Sequence, residues 1–204
     1  MISSNISNEA LDIFRKGLAH FITFDETEWT EFISHLNHKV IKKRDHFSVK
    51  DKVCNDIGFI VNGSVRYYHV KDGIEITGYF SFENEFVSSY KSFLTQQPGT
   101  GYIQALEQTE LILISRKNMD VMLSHPLLGY KMERFGRLVA EHYICCYEDR
   151  ITSFITETPK ERYLKMLETT PEIMQRVPQH YVANFLGITP VSLSRIRKRT
   201  LAYA

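Results

Sequence analysis

Close to the C-terminus, three hydroxyl side chains and four bases fall within one short run, TPVSLSRIRKR: Thr189, Ser192 and Ser194, then Arg195, Arg197, Lys198 and Arg199. A guanidinium donates in a rigid fork that matches guanine edges and phosphate oxygens, and hydroxyls serve at either. This is chemistry for holding nucleic acid. Arg195 is the expected base reader, because a bidentate arginine on guanine is the commonest specific pairing. Thr189, Ser192 and Ser194 are expected on phosphate or base, and Arg197, Lys198 and Arg199 on phosphates. The plainer reading is that these bases solvate a helix end and complement its dipole. Cys54, Cys145 and Cys146 are too few and too poorly spaced for a disulfide framework or a zinc site, and read as buried structural cysteines. His35 and His38 lie three apart, but no further ligand stands near them. Nucleophile-elbow and phosphate-loop motifs are absent, so no enzyme is expected, and no cofactor or metal.

The run needs a rigid element to present it. Val182, Ala183, Phe185 and Leu186 give one short helix an apolar face, and Gly187 ends it. Thr189 is a good N-cap for the next helix, and Pro190 suits its first turn. Leu193 and Ile196 can pack back, which leaves the hydroxyls and bases outward. Ala183, Gly187, Leu193 and Ile196 fall at the spacing of a bacterial helix-turn-helix, and LGITPVSLSRIR resembles the DNA-reading end of the cyclic-AMP receptor protein/fumarate-nitrate regulator (Crp/Fnr) superfamily. The resemblance implies a homodimeric regulator that reads double-stranded DNA through Thr189, Pro190, Val191, Ser192, Ser194, Arg195, Arg197, Lys198 and Arg199. Members of the family usually carry Glu where this chain has Val191. Valine cannot accept from cytosine but can meet a thymine methyl, so operator preference does not carry over.

The 204 residues are 43% apolar and 24% charged, as in a soluble globular protein. Net charge is +1 but uneven: from Glu157 onward eight Lys or Arg stand against four acids, giving +4 there and −3 in the rest of the chain. No apolar run reaches membrane-spanning length and the first residues lack a signal-peptide pattern, so a cytoplasmic place and no membrane partner are expected.

Upstream, residues 6–37 step as helices, with a break at residues 23–27 and a start at Thr27. From Val40 to Ser115 the pattern is of strands. Asn62-Gly63 and Asp72-Gly73 each sit between β-rich runs and predict two consecutive hairpins, a meander. The phrase GFIVNGSVRYY and the order of these signals are similar to the same superfamily's β-roll sensor. In relatives that bind cyclic nucleotides, a Gly-Glu pair and an Arg hold ribose and phosphate; here those places fall on Ser88 and Ser89 and near Gly99. Cyclic AMP and cyclic GMP are therefore not expected to bind in the usual mode. An unknown small effector could use Ser88, Ser89, Tyr90, Lys91 and Tyr102, although a pocket filled by ordinary strand aromatics is the favoured reading.

Pro126 is expected to open a long helix to about Phe154. Leu128, Met132, Phe135, Val139, His142 and Cys146 step by four and three along it, the seam of a two-stranded coil and hence of a homodimer. The expected fold is α+β: a β-roll (jelly-roll-like) sensor domain with flanking helices over 1–125, a dimerisation helix over 126–154, and a helix-turn-helix, winged-helix-like domain over 155–204, its β-wing in doubt. The alternative is a small-ligand-binding β-roll protein without DNA-binding activity.

Overall fold

A computed structural model describes residues 6–201; the outer ends of the expected first and last domains, residues 1–5 and 202–204, lie outside the described residues. Helix α1 (Asn8–Leu18) is capped by Ser7, whose hydroxyl accepts from the Ala10 N–H. Helix α2 (Glu26–Ser34) starts at Asp25 rather than Thr27. There Asp25 accepts the Glu28 N–H while the Glu28 carboxylate accepts the Asp25 N–H, a reciprocal box that outcompetes a single threonine. Phe14, Phe24, Trp29 and Phe32 pack between the two helices.

Eight strands follow: β1 (Asn37–Ile41), β2 (His46–Ser48), β3 (Asp56–Asn62), β4 (Val65–Lys71), β5 (Ile74–Ser81), β6 (Phe86–Val87), β7 (Tyr102–Ala105) and β8 (Thr109–Ser115). They form two antiparallel four-stranded sheets, ordered β1-β8-β3-β6 and β2-β7-β4-β5. Between the sheets lie Ile41, Ile60, Val65, Val87, Ile103, Ala105, Leu111 and Leu113. The outer face of the first sheet is covered as well. Ile57, Phe59 and Val61 of β3 and Ile112 and Ile114 of β8 point out to α1, α2 and a later helix. Burial on both faces explains why Ile57 to Val61 reads as a continuous apolar run without polar alternation.

The expected meander is corrected. Asp72 and Gly73 both have positive φ, and Lys71 pairs with Ile74 across a tight β4–β5 hairpin. Asn62-Gly63 makes no hairpin, because β3 and β4 belong to different sheets. Here Gly63, at φ +105°, passes so close to β8 that a Cβ would lie 2.6 Å from the Thr109 hydroxyl. Its N–H donates to Glu83 (2.8 Å), and the Ser64 N–H donates to Thr109 (3.2 Å). These contacts across the roll carry the chain from one sheet to the other. Two short helices, α3 (Tyr90–Thr95) and α4 (Arg116–Leu123), fall within or just after the stretch expected to be strands alone.

Helix α5 runs Gly129–Thr156, so it starts three residues after Pro126. Four of the six residues expected in the dimer seam are corrected too. Leu128, Met132, Phe135 and Val139 are buried in the chain's own core, where Phe135 meets Phe21 and Phe86 edge-on. The same three- and four-residue step serves any helix laid along an apolar surface. His142 is exposed, with Phe21 beside it, and Cys146 is half-buried. Past Tyr143 one face of the helix opens to solvent, and Cys145 is exposed, contrary to the buried cysteine expected; Cys54 is buried as expected. His35 pairs with Glu31 and His38 with Glu110, and no group of three metal-ligating side chains occurs among the described residues. Among the described residues no helix is long and apolar enough to cross a membrane.

Thr158 and Glu161 box the start of α6 (Pro159–Thr169). Helix α7 (Ile173–Arg176) occupies the place of a wing, and no strand follows β8 among the described residues. The chain ends in α8 (Gln179–Phe185) and α9 (Pro190–Leu201).

Phe135 decides whether the α5 seam serves this chain's core. Phe135→Ala is expected to cost about 3–5 kcal/mol of stability, read as a lower urea midpoint that does not depend on protein concentration.

Candidate nucleic-acid interface and sensor cavity

The turn between α8 and α9 follows from Gly187. It sits at φ +73°, with the Phe154 ring 3.2 Å from where a Cβ would stand. The Ile188 N–H reaches back to the Ala183 carbonyl (3.0 Å) and closes α8. Thr189 then caps α9, accepting from the Ser192 N–H (3.2 Å), and its hydroxyl lies 3.0 Å from that of Ser192. Leu193 is buried on Val182, Ala183 and Leu186. Thr189, Pro190, Val191, Ser194, Arg195, Lys198 and Arg199 are exposed, and Ser192 and Arg197 half-buried. Among the described residues, none of the four α9 bases makes an ion pair.

Residues that sequence reasoning passed over hold this unit in place. The last carbonyls of α8 lack helical partners. Arg150 of α5 donates to the Phe185 carbonyl (2.6 Å) and lies 3.6 Å over its ring; buried Arg162 of α6 donates to the Leu186 carbonyl (2.9 Å). Burial and the like charge of Arg162 hold Arg150 down to about 10. Against the roll, Asn184 takes the place of a strand along β5: its side chain accepts the Thr77 N–H and donates to the Glu75 carbonyl (3.0 Å). Arg176 bonds Glu83 (2.7 and 2.8 Å) and Glu107 (2.7 Å). Burial raises the Glu83 pKa, but the Arg176 hydrogen bonds outweigh it and hold the carboxyl below its usual range. Arg66, itself buried, lies 4.0 Å over Tyr68 and 3.8 Å over Tyr181 while it pairs with Glu75.

In the sensor half, Ser88, Ser89, Tyr90, Lys91 and Tyr102 do come together. They line one cavity of about 550 Å³, so the filled-in pocket that was favoured is corrected. Tyr67, Tyr79, Tyr147 and Arg150 share its wall. Strand alternation could have pointed to Tyr67 and Tyr79; nothing local marks Tyr147 and Arg150, which reach the cavity from α5. No carboxylate lines it to receive ribose hydroxyls.

No family model and no curated protein matches the sequence. Solved structures do match the fold. CLP, the c-di-GMP responsive global regulator of Xanthomonas campestris, is 17% identical with a TM-score of 0.66, over 87% of this chain and 92% of its own. FixK2 from Bradyrhizobium japonicum is 16% identical with a TM-score of 0.65, over 82% and 85%. This chain has the Crp/Fnr fold. The regulatory domain of Toxoplasma gondii PKA, solved with cAMP, is 12% identical with a TM-score of 0.50 over 57% of this chain, which spans 46% of that one. The likeness to the Crp/Fnr regulators thus takes in more of the chain than the likeness to this cAMP-bound domain.

Glu85 lies where the roll meets α5 and α6, and burial pushes its carboxyl up to about 7. A group raised in the folded state contributes stability that is complete below its unfolded pKa, near 4.5, and lost as pH rises through about 7. Unfolding titrations between pH 4.5 and 7 should show stability falling by up to about 1.4 kcal/mol per pH unit from this group. Glu85→Gln should remove that slope.

Proposed function

We propose that the chain is a sequence-specific DNA-binding transcription regulator of Crp/Fnr type, acting as a homodimer in the cytoplasm. The observation that carries this reading is the outward face of α9: Val191, Ser194, Arg195, Lys198 and Arg199 are exposed on a helix whose inner face is buried. A helix of this shape fits the DNA major groove. Arg195 is assigned to a base edge, Lys198 and Arg199 to phosphates, and Val191 to a thymine methyl. The absence of a wing among the described residues leaves α9 to supply most of the contact.

Dimerisation is assigned to the face of α5 that opens to solvent. Ile144, Ile151 and Ile155 recur at steps of seven and four and are 64%, 61% and 77% exposed. Such an exposed apolar stripe is suited to a second copy of itself. Two-fold symmetry would then set two α9 helices on half-sites about one turn of DNA, ~34 Å, apart.

Selection of bound sequences from a random DNA pool tests both assignments, with a two-fold symmetric site as the expected product. Retention of no DNA at low salt would favour a ligand-binding protein that does not read DNA. On the selected site, Arg195→Ala should cost about 1–3 kcal/mol of discrimination at one base position; equal loss on random DNA would assign it to the backbone. Ile151→Glu should shift the protein to monomer in sedimentation, with the urea midpoint of the diluted monomer unchanged.

A further inference from the structure

The side chains around the sensor cavity are uneven in charge. Tyr67, Tyr68, Tyr79, Tyr90, Tyr102 and Tyr147 face it with Lys91 and Arg150, and no Asp or Glu does. Burial raises the phenol pKa of Tyr67, Tyr68, Tyr79, Tyr90 and Tyr147, so these hydroxyls keep their protons at neutral pH and can donate. Arg150 is the unusual member. Its guanidinium is partly buried and has Arg162 near it, and among the described residues it meets carbonyl and ring but no carboxylate. A cation drawn out of water beside a like charge is stabilised by an anion brought to it. At about 550 Å³ the space lies within the usual range of small-ligand sites.

We propose that this cavity binds a small aromatic acid without a sugar, its ring among the tyrosines and its acidic group on Arg150, with Lys91 at the exposed side. Tyrosine faces and edges hold a flat ring, and the missing carboxylate removes the acceptor that ribose hydroxyls would need. The same guanidinium ties down the end of α8, so the bound anion draws on the bond that orients the reading helix. As a binding site the cavity stands by itself; its role as an effector site rests on the regulator reading above.

Calorimetry on the free protein, without DNA, separates the two. The probes are benzoate, 2-naphthoate and indole-3-acetate, each with its neutral amide, and cyclic AMP. At least one acid should bind, and its amide at least about tenfold more weakly. Arg150→Gln should lose about tenfold for the acid and nothing for the amide, with Arg150→Lys restoring part of the loss. Hydrogen exchange of the α8 amides should change when the acid is present. The proposal is overturned if none of the acids binds at about 1 mM, if acid and amide bind alike, or if cyclic AMP binds more tightly than every acid. Binding with α8 exchange unchanged would overturn the link to the reading helix. Loss of DNA binding with acid binding intact would sink the regulator reading alone.

Discussion

The carbonyl end of α8 needs donors, and two guanidiniums from two other helices supply them. Arg150 comes from α5, which also packs on the β-roll, and Arg162 from α6. Without them, the end of a short helix would carry carbonyls partly withdrawn from water, at the negative pole of its dipole. The rest of the C-terminal unit is organised outward from this junction. Gly187 turns over Phe154, the ring on which both arginines stack, and Thr189 restarts the chain as α9. The exposed bases of α9 therefore point where they do because of contacts made on the far side of α8.

A second constraint concerns how apolar surface is shared. Helix α5 spends its first half on the core of its own roll, and in its second half one face, with Ile144, Ile151 and Ile155, is in the open. Spacing in sequence records that a residue faces something apolar; it does not record whose surface that is. The seam from Leu128 to Val139 satisfied heptad spacing and served the chain itself. In the stripe of Ile144, Ile151 and Ile155 the same periodicity stays mostly exposed on this chain. What separates them is the reach of the roll, a tertiary fact.

Much of the architecture was legible in residue order. The apolar face of α8, Gly187, Thr189 and Pro190 marked both C-terminal helices, and Asp72-Gly73 marked its hairpin, because each signal acts over a few residues. Asn62-Gly63 carries the same local signal yet makes no hairpin: its geometry is set by Thr109 and Glu83, distant in sequence. Of the sensor cavity, Ser88 to Lys91 and Tyr102 were found from the resemblance, while Tyr147 and Arg150 were not. The Asn184 contact with β5 and the stacking of Arg66 on Tyr181 were likewise invisible, since single side chains joining separate elements leave no period.

Strand β3 is walled in on both sides: Phe59 faces the helical cover and Ile60, its neighbour, faces the interior of the roll. The cover and the roll are in consequence not interchangeable parts. A chimera that imported α1 and α2 from a distant relative would confront the outer faces of β3 and β8 with rings of foreign shape, and the mismatch would reach α5 through Phe86 and Phe135. Recombination that spares this protein has its crossover points well beyond Val139, because Tyr143 still donates to the Phe86 carbonyl (2.6 Å) and Tyr147 and Arg150 still line the roll's cavity.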